Sequence, residues 1–218
     1  MTSAAAPVVL ALSTALPRYF GPHEYAMTWH ARQALRVADK FSPGAGVDVL
    51  LYGDPADGSH AEDGIVVRTH VEPDSVEEWA DEWATIANTG LAFLGDRRPA
   101  NRVEQTFAAG QSSSSRPRGA LRQVIAMLQE MPEPPLVIFQ LDTMLGQEEM
   151  VLAIRDAGEH AAFWQLFGWE HAIGEVFWTQ EGLYRGRVLP NLAVYFGADW
   201  SHRAVARRFS RWRKKSLG

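Results

Sequence analysis

Short apolar runs bounded by turn residues alternate along this chain with stretches of helical periodicity, and no other feature constrains its fold as strongly. Strands that alternate with helices build a sheet through crossover connections, with helices on its faces. The sequence predicts strands at Val8 to Leu12, Val47 to Tyr52, Ile65 to His70, Leu136 to Asp142, Ala162 to Phe167 and Leu192 to Phe196. Helices are predicted over Ala26 to Lys40, Val76 to Asn88, Ala120 to Gln129 and Gln147 to Glu159. Ser75 with Glu78 three residues on matches a capping box at the second of these. The second and third strands, joined by an acidic Gly-containing loop from Gly53 to Gly64, read as a hairpin at one sheet edge. Between Thr89 and Arg118 periodicity is weak and a serine run appears, so a mobile loop is expected there.

With 218 residues, no internal repeat and no convincing linker, residues 1–218 are expected to form one domain. No apolar stretch approaches the roughly 18 residues that span a bilayer. The apolar start lacks a preceding Lys or Arg, so it reads as a first strand between Pro7 and Pro17 rather than a signal peptide. The absence of cysteine excludes disulfides, zinc thiolates and cysteine nucleophiles, and fits a cytoplasmic protein.

The signatures of the common α/β enzymes are missing. Zinc-binding His-x-x-x-His spacing, the Gly-x-Ser-x-Gly elbow, the phosphate loop ending in Gly-Lys-Ser/Thr and the Gly-x-Gly-x-x-Gly turn are all absent. Glu148 and Glu149 suit the positive end of a helix dipole, and no partner group suggests acid–base work for them. His23 and His30 read as surface or cap histidines. Trp79, Trp83, Trp164, Trp169 and Trp178 read as core anchors or partly exposed contact residues. The chain is expected not to be an enzyme.

Three segments, Val8 to Pro17 with Val47 to Gly53, then Leu136 to Asp142, then Phe163 to Gly168 with Gly186 to Asn191, carry a family likeness when taken together. They resemble the von Willebrand factor type A (vWA) domains of bacterial tellurium-resistance and stress proteins, the TerF-like group. The resemblance implies a Rossmann-like, doubly wound α/β fold, its sheet mostly parallel with one antiparallel edge strand and helices on both faces. It also implies a metal-ion-dependent adhesion site for Mg²⁺ or Mn²⁺, built from an Asp-x-Ser-x-Ser loop, a threonine and a later aspartate. Here the aligned loop positions are Ser13, Ala15 and Pro17, with Ser115 and Asp142 as the later pair. A remnant of Ser13, Ser115 and Asp142 carries a single charge, and a divalent ion needs more compensation for the water it gives up, so no cofactor is expected. Asp54, Asp57, Glu62 and Asp63 offer carboxylates near the same sheet end but read as solvated loop charges.

The chain's end carries a different signal. Arg203, Arg207, Arg208, Arg211, Arg213, Lys214 and Lys215 fall within the last sixteen positions, and removing these seven from the 21 basic residues leaves 14 against 26 acidic ones. A net charge of −5 thus hides an acidic body and a basic tail. From about residue 201 to 215 the tail reads as an amphipathic helix, with Val205, Phe209 and Trp212 as its apolar stripe. The stripe favours docking on the sheet, with the cations complementing the acidic body. Alternatively, Arg207, Arg208, Arg211, Arg213, Lys214 and Lys215 form a patch for nucleic acid, an anionic membrane surface or an acidic protein.

The expected function is non-catalytic binding of another protein, as a scaffold or adaptor in a bacterial stress, metal-resistance or conflict system. A metal-dependent ligand-binding module and a nucleic-acid-binding protein are the alternatives.

Overall fold

The apolar run after Pro7 forms β1 (Val8–Ser13), buried along its whole length, as a strand covered on both faces must be. The computed structural model describes residues 6–14, 27–57, 59, 64–84, 102–107, 117–141, 155–168, 189–197 and 200–216. After β1 come α1 (Met27–Ala38) and β2 (Val47–Gly53), which pairs parallel to β1 with Leu12 beside Leu51. β3 (Ile65–Val71) turns back antiparallel to β2, placing Tyr52 opposite Val66, so the expected hairpin is present.

The helical connection to the other half of the sheet begins with α2 (Val76–Trp79) and a π-helical turn over Ala80–Ala84. It continues through α3 (Arg102–Thr106) and α4 (Pro117–Leu128). β4 (Leu136–Leu141) then lies on the free side of β1, with Ile138 beside Leu10. A helical turn at residues 155–159, here α5, precedes β5 (Phe163–Gly168), and β6 (Leu192–Phe196) adds the far edge. α6 (His202–Ser216) closes the chain. The strand order is β3-β2-β1-β4-β5-β6, parallel throughout except at β3. This is the doubly wound α/β architecture with one antiparallel edge strand.

Alternation of side chains along each strand makes two cores. Leu10, Leu12, Val49, Leu51, Ile138, Phe163 and Phe167 pack beneath α1, α2 and α6. Val9, Ala11, Leu50, Val137, Phe139, Trp164 and Leu166 pack beneath α4 and α5. Each large buried side chain contributes about 1.5–3 kcal/mol. Edge strand β3 is blunted by charge: Arg68 and His70 reach across to Asp48 of β2, at 2.7 and 2.8 Å.

Two local expectations are corrected. Ser75 does precede α2, but its side chain makes no capping bond. Its amide is drawn into a turn with the Glu72 carbonyl at 3.2 Å, and its ψ of 13° departs from the extended backbone that aims a cap hydroxyl at the helix amides. Within the stretch expected to be a loop, α3 forms and α4 starts at Pro117, where the missing amide costs nothing. α3 escapes a periodicity test because tertiary contacts hold it: Val103 and Phe107 are buried, and Arg102 lies 5.2 Å above the Trp83 ring and 2.9 Å from Glu82. Among the described residues no helix is long and apolar enough to cross a membrane.

Candidate functional site

Between β1 and β4 the chain changes its direction of travel across the sheet, and in open α/β sheets ligands bind at the carboxyl ends of the strands beside such a switch. Ser13 ends β1 there, 5% exposed, and its backbone N–H donates to the side-chain oxygen Oε1 of Gln140 at 3.2 Å. Gln140, on β4, is itself buried. From β2, the Tyr52 hydroxyl donates to the Gln140 backbone carbonyl, while its ring stacks on Phe139 at 5.4 Å. The Tyr52 carbonyl accepts both the backbone N–H and the hydroxyl of Thr14, at 2.9 and 3.1 Å. Three strand ends are thus joined by uncharged hydrogen bonds.

Gly53 permits this closeness. A Cβ at that position would collide with Thr14 Oγ1 and come within 3.3 Å of the Phe107 ring. Phe107 follows α3 and bridges antiparallel to Pro55, while the Ala56 N–H reaches the Thr106 carbonyl at 3.1 Å. The loop after β2 is therefore tied down at its start. Asp54 is half-buried; Asp57 is exposed and accepts the Ser59 N–H at 2.9 Å, a bond that holds its carboxyl below the usual range.

Of the three remnant metal ligands, Ser13 is placed at this sheet end, while Ser115 and Asp142 lie outside the described residues, as do Ala15, Pro17, Glu62, Asp63, Glu148, Glu149, His23, Trp169 and Trp178. Thr14, Tyr52 and Gln140 offer uncharged oxygens already engaged with one another's strands or with the Ser13 amide. These oxygens by themselves are not the charged, open ligand set that Mg²⁺ or Mn²⁺ calls for, and the one carboxylate of the remnant, Asp142, is outside the described residues. Thr14, Tyr52 and Gln140 were missed as site residues. One signal was legible: a glutamine inside the apolar run Leu136 to Leu141 must find a hydrogen-bond partner if the strand is buried.

The basic helix docks through its predicted stripe. Val205 and Phe209 are buried, and Phe209 packs against Phe41 at 4.9 Å and Phe163 at 6.0 Å. Half-buried Trp212 joins them, 5.8 Å from Phe163. Arg207, Arg208, Arg211, Lys214 and Lys215 are exposed. Arg213 departs from that set: one helical turn after Phe209, it falls on the inward stripe, 8% exposed, with its guanidinium 5.7 Å from the Phe209 ring and 3.8 Å from Glu133. Arg208 reaches inward as well, donating to Oε1 of the fully buried Gln165 at 3.2 Å.

The seam between α1 and α6 corrects the reading of His30. It is a core residue, 1% exposed, and its Nδ1 accepts the Trp200 indole N–H at 3.2 Å. Burial pushes its pKa down to about 3. His202 and Gln33 make a second bond across the same seam at 2.8 Å. Partial burial, then the charges of Arg36, Lys40 and Arg203, lower the His202 pKa.

At the opposite end of the sheet an open cleft of about 390 Å³ lies between α5, Leu189 and Trp212. Asn191 closes its floor by directing its amide group at the carbonyls of Gly158, His160 and Ala162, at 3.0, 3.3 and 2.9 Å.

Comparison with protein-family models and with curated proteins finds no match.

Proposed function

We propose that this chain is a non-catalytic protein-interaction module of vWA type, a scaffold or adaptor that recognises another protein through the loops at the carboxyl ends of its strands. One observation carries the reading. Where a doubly wound sheet would receive a small ligand, this chain inserts its own Gln140 and Tyr52, bonded to Ser13 and the β4 backbone. Strand ends occupied by the chain's own uncharged side chains suit recognition by the surrounding surface better than by a pocket. The bacterial stress or metal-resistance setting and a cytoplasmic location follow from the resemblance and belong to the same proposal. In this reading the remnant Ser13, Ser115 and Asp142 hold no metal.

The test is a magnesium and manganese titration by calorimetry on the whole protein and on Asp142→Ala. No heat at millimolar ion is the expected result. Heat that disappears in Asp142→Ala would overturn the metal-free reading and make metal-bridged ligand binding the mechanism.

A further inference from the structure

α6 has no acidic residue, and its outward face is made of Arg203, Arg207, Arg211, Lys214 and Lys215, all exposed. Arg203, Arg207, Arg211 and Lys215 recur one turn apart, a like-charge ladder about 18 Å long that works against the helix it sits on. Among the described residues the one ion pair shown between α6 and the body is Arg213 with Glu133, and Arg213 faces inward.

Acidic residues lie on the same side of the sheet, at and before α2 and in the π-helical turn: Glu72, Asp74, Glu77, Glu78, Asp81 and Glu82, all exposed, of which Glu72, Glu77 and Glu82 already meet His70, Arg32 and Arg102 within the chain. α2 sits over β3, where the Trp79 indole bonds Thr69 Oγ1 at 3.2 Å, and α6 sits over β5, where Phe209 meets Phe163. α1 runs between them, with Arg32 paired to Glu77 on one flank and Gln33 bonded to His202 on the other. The two strips therefore flank one helical layer, over strands about 19 Å apart.

We propose that this layer is a self-complementary surface for a second copy of the chain. A two-fold axis parallel to α1, lying in the plane between the two facing layers, sets the acidic strip of each copy against the basic stripe of the other and closes the pair. Charge dominates the contact, so the dimer forms at low ionic strength and is released as salt screens it. The inference uses the helical layer alone and does not depend on how the strand-end loops are used.

Sedimentation equilibrium of the full chain tests it. Dimer mass is expected at about 0.05 M salt and monomer mass at about 0.5 M. Arg207→Glu/Arg211→Glu and Glu78→Lys/Asp81→Lys are each expected to be monomeric alone, with circular dichroism as the check on folding. Mixed in equal amounts, they are expected to regain dimer mass, because both halves of the contact are complementary again, one as in the wild type and one with its charges exchanged. Should either reversal unfold the chain, Arg207→Gln/Arg211→Gln is expected to weaken the dimer at least tenfold. A wild-type monomer at low salt, a dimer indifferent to salt, or a mixture that stays monomeric overturns the proposal. A monomer that binds a short single-stranded oligonucleotide through Arg207 and Arg211 also overturns it, and assigns the stripe to nucleic acid.

Discussion

Trp200 donates its indole N–H to His30 Nδ1 across 3.2 Å, inside the seam where α6 meets α1. Because Nδ1 accepts, the proton of this neutral imidazole sits on Nε2, which has no hydrogen-bond partner among the described residues. The ring is enclosed by Trp29, Phe167 and Trp200, with Phe167 4.9 Å away.

That enclosure makes stability depend on pH in a calculable direction. With a folded pKa of about 3 against an ordinary value of 6.5, the unfolded chain binds the additional proton between those two values. The contribution of neutral His30 is complete above about pH 6.5 and is lost as pH falls towards about 3, at about 1.4 kcal/mol per unit. Urea unfolding at about pH 7 and about pH 5 should differ by on the order of 2 kcal/mol through this group. In His30→Phe the difference should shrink by about that amount; an unchanged pH dependence would reject the assignment.

Gln140→Ala should destabilise the chain by about 1–3 kcal/mol, because the Ser13 amide stays buried and loses its acceptor. Denaturant unfolding of this variant, beside a substitution at exposed Arg36, measures the difference. A cost no larger than that of Arg36→Ala would mean that the strand ends are not held together by Gln140.

Phe209→Ala and Arg207→Ala separate the two faces of α6. Truncating the fully buried Phe209 should cost about 3–5 kcal/mol, and losing the exposed Arg207 should change stability by less than about 0.5 kcal/mol. Amide exchange along α6 should accelerate in the first variant and stay at the wild-type rate in the second. Equal effects would be incompatible with a helix docked by its apolar stripe.

Asn191→Ala should cost about 1–3 kcal/mol, since the carbonyls of Gly158, His160 and Ala162 share one side-chain amide group. Asn191→Asp should fail to rescue it, because a carboxylate replaces two donors with acceptors. Thermal melts of the two variants decide the point, and rescue by aspartate would show that the position acts through shape rather than through donated hydrogen bonds.

Parts of this molecule were written into its local chemistry. Runs such as Val8 to Leu12 and Leu136 to Leu141 can be buried on both faces in a parallel sheet, and the helical intervals between strands leave little choice but crossovers. The inward stripe of α6 followed from periodicity, since Val205 and Phe209 recur at helical spacing. Even so, the same periodicity places Arg213 inward, a consequence outweighed in the reading by its charge.

What the sequence by itself determined, then, is the alternation of elements, the edge hairpin and the polarity of the last helix, all of which depend on neighbours a few residues apart. Tertiary structure alone decided which distant groups meet. Ser13 and Gln140 are 127 positions apart and Trp200 and His30 are 170 apart, yet each pair shares a hydrogen bond. Buried polar groups must find partners, but many partners satisfy that demand equally well, and the packing of strands and helices selects one. For that reason the sequence offered His30 as a surface or cap histidine and the fold placed it in the core.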